Sequence, residues 1–279
     1  MRAGNLIVVV MGVVAAVAAL AVTISWWRVS TVPGPAMAPP TERRPAALDA
    51  VRTVAVMATT GVVAGLACAG LVGRLVMRVL AATSGASAQG SRTEAGEIVG
   101  RISRDGTVGF ILFVGLSAGL LAAVGFLALR RLLPAQAGPT GLVLGLILLG
   151  TIGVADPLSP DNVDFRVLTP TWLAVLLVVA TALLLGTTFA TLAARLEAIS
   201  FGEGRSRYLA WLGVPIVVIA LPLLAVVAGY VGARSAWPGV MTRALQVPAV
   251  RRIGVALVVA GAGITAAITA AATVEILRT

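Results

Sequence analysis

Residues 53–72 read TVAVMATTGVVAGLACAGLV, twenty positions without a charge, followed directly by Gly73-Arg74 and then Arg78. At 1.5 Å of rise per residue such a run makes a helix of about 30 Å, the thickness of a bilayer's hydrocarbon core. Buried backbone polar groups in hydrocarbon must be satisfied within the segment itself, which a helix does. The stretch also sets small residues four apart, Gly61, Gly65, Ala69 and Gly73, along one helical face. In lipid, helices associate through such close backbone approach because hydrophobic burial between them gains little.

Similar runs recur along the chain. Leu6–Ser25 precedes the interfacial pair Trp26-Trp27 and Arg28, with a cleavable leader ending near Ala19-Leu20-Ala21 as the competing reading. Further spans are expected at Phe110–Leu129, Thr140–Ala155, Trp172–Ala194, Tyr208–Val231 and Ile253–Ile276. The predicted fold is therefore all-α, a polytopic transmembrane bundle of about seven helices, with six as the alternative. Residues 1–28 form the first helix, and 29–51 read as a linker because they hold Pro33, Pro35, Pro39, Pro40 and Pro45. Residues 52–279 form the bundle, with polar connecting segments at 79–109 and 156–170.

Composition supports the same class. The 279 residues are 59% hydrophobic and 11% charged, with a mean hydropathy of +1.02. Soluble domains carry about 25% charged residues, so this chain lacks the charge to keep a surface in water. There is no histidine, the 21 basic residues are all arginine, and Cys68 is the single cysteine. Histidine-based metal or haem sites, a Schiff-base lysine and an intrachain disulfide are thereby excluded. No cofactor and no enzymatic activity are expected. The net charge of +10 is read as anchoring to a bilayer with anionic headgroups, not as nucleic-acid binding, because no basic stretch is long or interleaved with aromatics.

Strict alternation of seven spans puts Arg28, Arg43, Arg44, Arg52, Arg130, Arg131, Arg195, Arg205, Arg207 and Arg278 on one side and the other arginines, from Arg2 to Arg252, on the opposite one. The positive-inside rule counts these residues, and the near-even split leaves orientation open. Asp156, Asp161 and Asp164 lean the 156–170 loop outward.

Several patterns are candidates for function or packing. Gly115 and Gly119 continue the small-residue theme on the next helix, as do Gly141 and Gly145 after it. Thr265, Thr269 and Thr273 share a face of the last helix, as a candidate polar path or a packing surface. Ser91 and Glu94 have capping-box spacing and Glu97 to Arg101 is an i, i+4 pair, so 92–104 is expected as an amphipathic surface helix closed by Asp105-Gly106. Its charges and those of Arg74 and Arg78 make an interfacial cluster of Arg74, Arg78, Glu94, Glu97, Arg101 and Asp105. Ser159-Pro160-Asp161 reads as a helix start. No ionisable residue falls in the middle of any expected span.

Gly73-Arg-Leu-Val-Met-Arg78, Glu97-Ile-Val-Gly-Arg-Ile-Ser103, Gly106-Thr-Val-Gly-Phe110 and Ser159-Pro-Asp-Asn-Val-Asp-Phe-Arg166 together resemble actinobacterial multi-pass membrane proteins of unassigned function, over roughly residues 53–195. The resemblance implies a plasma-membrane protein and carries no activity, ligand or catalytic residue. The expected role is a structural or accessory component of a membrane assembly, with a protein partner or a homo-oligomer. The alternative is a transporter or channel for an apolar or weakly polar solute.

Overall fold

Backbone groups in an apolar run have no water to bond, so the run closes its hydrogen bonds on itself, and in the computed structural model the apolar runs among the described residues are helical. It describes residues 46–201, apart from 154, 156 and 160, and residues 247–278, with isolated positions elsewhere. The expected spans Leu6–Ser25 and Tyr208–Val231, and most of the linker, lie outside the described residues.

Helix α1 is continuous from Ala46–Ala64 through a wider π-helical stretch, Gly65–Val72, into Gly73–Thr83. The π character is visible at Gly73, whose N–H donates to the carbonyl of Cys68, five residues back. α1 starts inside the expected linker, immediately after Pro45, where a proline is compatible with the first helical turn. Helix α2 is Arg104–Leu129 and α3 is Ala137–Leu148, prolonged by a π turn, Leu149–Gly153. The short α4 is Asp164–Val167, α5 is Thr171–Phe201 and α6 is Pro248–Arg278.

Among the described residues, four stretches are long and apolar enough to cross a membrane: Arg52–Thr83, Arg104–Leu129, Thr171–Ala198 and Pro248–Arg278. The helix Ala137–Gly153 is apolar but shorter.

Glycines set two close helix contacts among the described residues. α1 and α2 run antiparallel, with Gly61 on Gly119 and Gly65 on Gly115; a Cβ at Gly61 would lie 2.5 Å from the Gly119 carbonyl oxygen. α3 meets α5 in the same way, Gly141 and Gly145 facing Gly186, Thr187 and Leu183. Around these seams sits a core of Met57, Cys68, Ala122, Phe126, Leu144 and Phe189. The Phe126 and Phe189 rings are tilted at 55° with centroids 5.4 Å apart, a favourable aromatic arrangement. A second core under the loops joins Val76, Leu80, Leu149, Leu158, Phe165 and Ile276.

The direction of α6 corrects the expected alternation. Gly254 packs on Leu132, Gly150 on Thr265, and Ile276 joins Leu158 and Phe165. α6 therefore packs along α3 and runs in the same direction as α1 and α3, placing Arg278 at the end of the bundle that holds the 84–103 loop. Arg251 and Arg252 lie at the opposite end, with Arg52, Arg130, Arg131 and Arg195. Parity of spans had grouped Arg278 with the latter set; direct packing against α3 decides otherwise. The arginines of the described residues remain nearly evenly split between the two ends.

Candidate functional site

The amphipathic helix expected at 92–104 is absent. Residues 90–101 fold as a tight hairpin-like loop, with an isolated antiparallel bridge between Arg92 and Ile98. Gly90, Gly96 and Gly100 carry φ of 87°, 75° and 82°, a region that interrupts an L-residue helix and that glycine adopts without steric cost. The Gly96 N–H closes a turn on the Thr93 carbonyl at 2.8 Å, and the Val99 N–H donates to the Ser91 carbonyl at 2.9 Å. The Ser91/Glu94 capping spacing is unused. Instead Ser103 caps α2, its hydroxyl accepting from the Gly106 N–H at 3.1 Å. Asp105 and Gly106 thus open a transmembrane-length helix and do not close a surface one.

Three carboxylates of the loops, those of Glu94, Glu97 and Asp164, have a structural occupation. The Glu94 N–H donates to Asp164 Oδ1 at 2.9 Å, and the Val163 N–H donates to Glu94 Oε2 at 3.2 Å. This reciprocal latch ties the 90–101 loop to the 156–170 loop, so both lie at one end of the bundle. Asp164 also opens α4, whose start is displaced from the one expected at Ser159; the Asn162 side chain accepts from the Asp164 N–H at 2.8 Å. Ser84 accepts from the Thr169 N–H at 2.9 Å, fixing the second loop to the end of α1. Glu97 accepts from the Ser103 hydroxyl at 3.1 Å and lies over Gly106, in the first turn of α2, where the helix dipole favours a negative charge. The expected pair with Arg101 is not made.

Beneath this cover lies a cavity of about 780 Å³, within the range of roughly 300–1,000 Å³ typical of small-molecule sites. Its mouth is polar, with Arg74, Arg78, Glu94, Glu97, Arg101 and Asp164 on the wall. Its depth is apolar, descending between α1, α2, α3 and α5 to Ala118, Leu148 and Leu185. Along α2 it runs from Gly106 to Ala118, about 18 Å at 1.5 Å per residue. Phe113, which also lines it, is 79% exposed, so the cavity borders the apolar flank of the bundle.

Arg74 is the deepest charge on this wall, 5% exposed. Its Nη2 donates to the Thr107 hydroxyl at 3.2 Å and its guanidinium lies over the Phe110 ring, 5.7 Å from the centroid. Arg78, one turn on, donates to the Arg101 carbonyl at 3.4 Å. The Nε of each is buried without a hydrogen-bond partner. Among the described residues neither forms a direct ion pair; Glu97, the nearest competitor by charge, is committed to Ser103 and the start of α2.

Of the small-residue stripe, Gly61 and Gly65 are occupied within the chain by Gly119 and Gly115, whereas Ala69 and Gly73 line the cavity. The last-helix threonines do not line it. Thr269 donates to the Thr265 carbonyl at 2.8 Å and Thr265 to the Ala262 carbonyl at 3.0 Å, while Thr265 packs on Gly150.

A further charged pair emerges at the opposite end. Arg130 Nη2 lies 2.9 Å from Glu197 Oε1, with side chains 10% and 2% exposed. The expected fifth span stops at Ala194, which left Glu197 outside it; the helix continues to Phe201. Leu196 beside Arg195 and Glu197 carries the signal for that extension.

Comparison with family models, with curated proteins and with solved structures returns no match for this chain.

Proposed function

We propose that this is a multi-pass plasma-membrane protein, without enzymatic activity, that binds an amphipathic solute inside its helical bundle and exchanges it with the surrounding leaflet. One observation carries the reading: a cavity of about 780 Å³ that is polar under the loops and apolar in depth, beside glycine seams packed to backbone contact. Such seams close most of the space between helices, so a remaining void of this size is a specific feature of the packing. The non-enzymatic reading is supported by the loop carboxylates, since Glu94, Glu97 and Asp164 each accept from an N–H or O–H of the fold. A hydrolytic pair of acid and base would need carboxylates turned toward a substrate.

Thermal unfolding of the purified protein in a neutral detergent, with and without single-chain amphiphiles, tests this. Stabilisation that saturates with ligand concentration is expected, because a ligand binding only the native state stabilises it by mass action. Filling the depth with Ala118→Phe should remove the stabilisation. Equal behaviour of wild type and the filled variant would eliminate the cavity as the site.

The accessory-component reading retains one favourable observation. Only 11% of the apolar window of α6 is buried, and Ile253, Leu257, Val259, Ile264 and Ile268 are exposed along it. Mild extraction followed by mass spectrometry of bound proteins separates the two readings: a stoichiometric partner supports the accessory role, and a lone chain carrying lipid supports solute binding.

A further inference from the structure

We propose that Arg74 and Arg78 form a head-group site for an oxyanion, carboxylate or phosphate, borne on a single long alkyl chain that fills the apolar depth of the cavity. The inference rests on the solute-binding reading above and specifies its ligand.

The argument starts from what a guanidinium requires. It presents five N–H donors and cannot be neutralised at ordinary pH, and burying such a charge without a counter-charge is costly. Among the described residues the protein supplies Arg74 with one hydroxyl and an aromatic face, and Arg78 with one long carbonyl contact. The Nε atoms of both remain without an acceptor, though a carboxylate and a hydroxyl network lie close by. Glu97 is close enough to act on both charges electrostatically, but its carboxylate is held by the Ser103 hydroxyl beside the first turn of α2 and makes no direct ion pair with either arginine. Two guanidiniums one helical turn apart, on the wall of a cavity, match the fork geometry by which arginine binds carboxylate and phosphate oxygens.

The chain end of the ligand follows from the length of the cavity. From Gly106 to Ala118 the α2 wall extends about 18 Å, somewhat more than half of a hydrocarbon core of about 30 Å. That is the depth of one leaflet, and it opens beside the exposed Phe113 on a flank that would face lipid. A head at Arg74 and Arg78 would stand at the level of the loops, with its tail parallel to the helices.

The test uses the full chain in discs of zwitterionic phospholipid, with palmitate, hexadecyl phosphate, hexadecanol and hexadecyltrimethylammonium as probes. The two anions are expected to bind at least about tenfold more tightly than hexadecanol, a difference of about 1.4 kcal/mol. Arg78→Gln, at a half-buried position, should remove that preference while hexadecanol still binds; Arg74→Gln should remove it more completely, with only a small shift in the unliganded unfolding temperature. A preference for phosphate over carboxylate, or the reverse, identifies which oxyanion the fork takes. Equal binding of palmitate and hexadecanol would overturn the head-group assignment and leave the cavity reading standing. Binding of none of the probes would remove both. Preference for the cation would overturn the assignment in favour of Glu94, Glu97 and Asp164, and an anion preference surviving both substitutions would place the head elsewhere. Acetate or inorganic phosphate binding as tightly as the long-chain anions would reduce the site to an ion site and overturn the alkyl-chain part.

Discussion

Arg130 and Arg74 are both drawn into the bundle, at opposite ends, and the fold treats them differently. Arg130 meets the Glu197 carboxylate at 2.9 Å, in a pair almost closed to solvent. Arg74 is buried to a similar degree but receives a neutral hydroxyl and the face of Phe110. The first charge meets its counter-charge directly within the chain, although Glu197 Oε2 accepts no hydrogen bond among the described residues. The second retains an unsatisfied Nε on the wall of a cavity. The difference lies in where the carboxylates are placed: Glu197 meets its arginine directly, whereas Glu97, on the same wall as Arg74, is bonded by the Ser103 hydroxyl.

The contrast can be broken most forcefully at the completed pair. Glu197→Ala leaves Arg130 buried without its partner and should cost about 3–5 kcal/mol, read as a large fall in the unfolding midpoint in detergent. Arg74→Gln, by comparison, should shift the unliganded protein by about 1 kcal/mol or less, since it removes one hydrogen bond and one cation–π contact while also removing a buried charge. Equal losses at the two positions would show that Arg74 is as structural as Arg130.

A smaller effect sharpens the difference between packed seam and open cavity. Gly65→Ala drives a Cβ into the Gly115 carbonyl of α2 and should cost about 1–3 kcal/mol through overpacking. Gly109→Ala, where nothing lies within 4 Å of the added Cβ, should be neutral or stabilise by up to about 1 kcal/mol through helix propensity. If both are tolerated alike, the two helices are not in backbone contact at Gly65.

The smallest effect concerns the last helix. Thr269→Val removes a hydroxyl that bonds only its own helix and should change stability by less than about 0.5 kcal/mol, with solute stabilisation unaltered. A loss of solute response in this variant would restore the threonine face as a path and displace the cavity.

How much of the site was readable follows from the range of each interaction. Arg74 and Arg78 stand out in sequence because they directly follow an uncharged run, and the small-residue spacing at Gly61 and Gly65 is a local pattern on one helix. The loop was misread for an equally local reason. Ser91/Glu94 and Glu97/Arg101 satisfy helical spacing rules, but Gly90, Gly96 and Gly100 adopt positive φ, and Glu94 finds its partner seventy residues away in the 156–170 loop. Ser103 with Asp105 in the following turn was the legible alternative start for α2. Glu197 escaped because a charge near a span's end reads as interfacial; its burial depends on Arg130 arriving from another helix.

The sequence by itself determined the class of molecule: helices long and apolar enough for a bilayer, chemistry without histidine or lysine, and a pair of arginines at the margin of an uncharged run. Those properties are additive over neighbouring residues, so composition and period suffice to read them. Packing across the chain is what spends Gly61 and Gly65 against α2, runs α6 in the same direction as α1 and α3, and holds Glu97 on Ser103, with no direct ion pair to Arg74. Each of these depends on which atoms meet across tens of residues. Hydrogen bonds and ion pairs act over a few ångströms, and only the packed chain brings such partners within that reach.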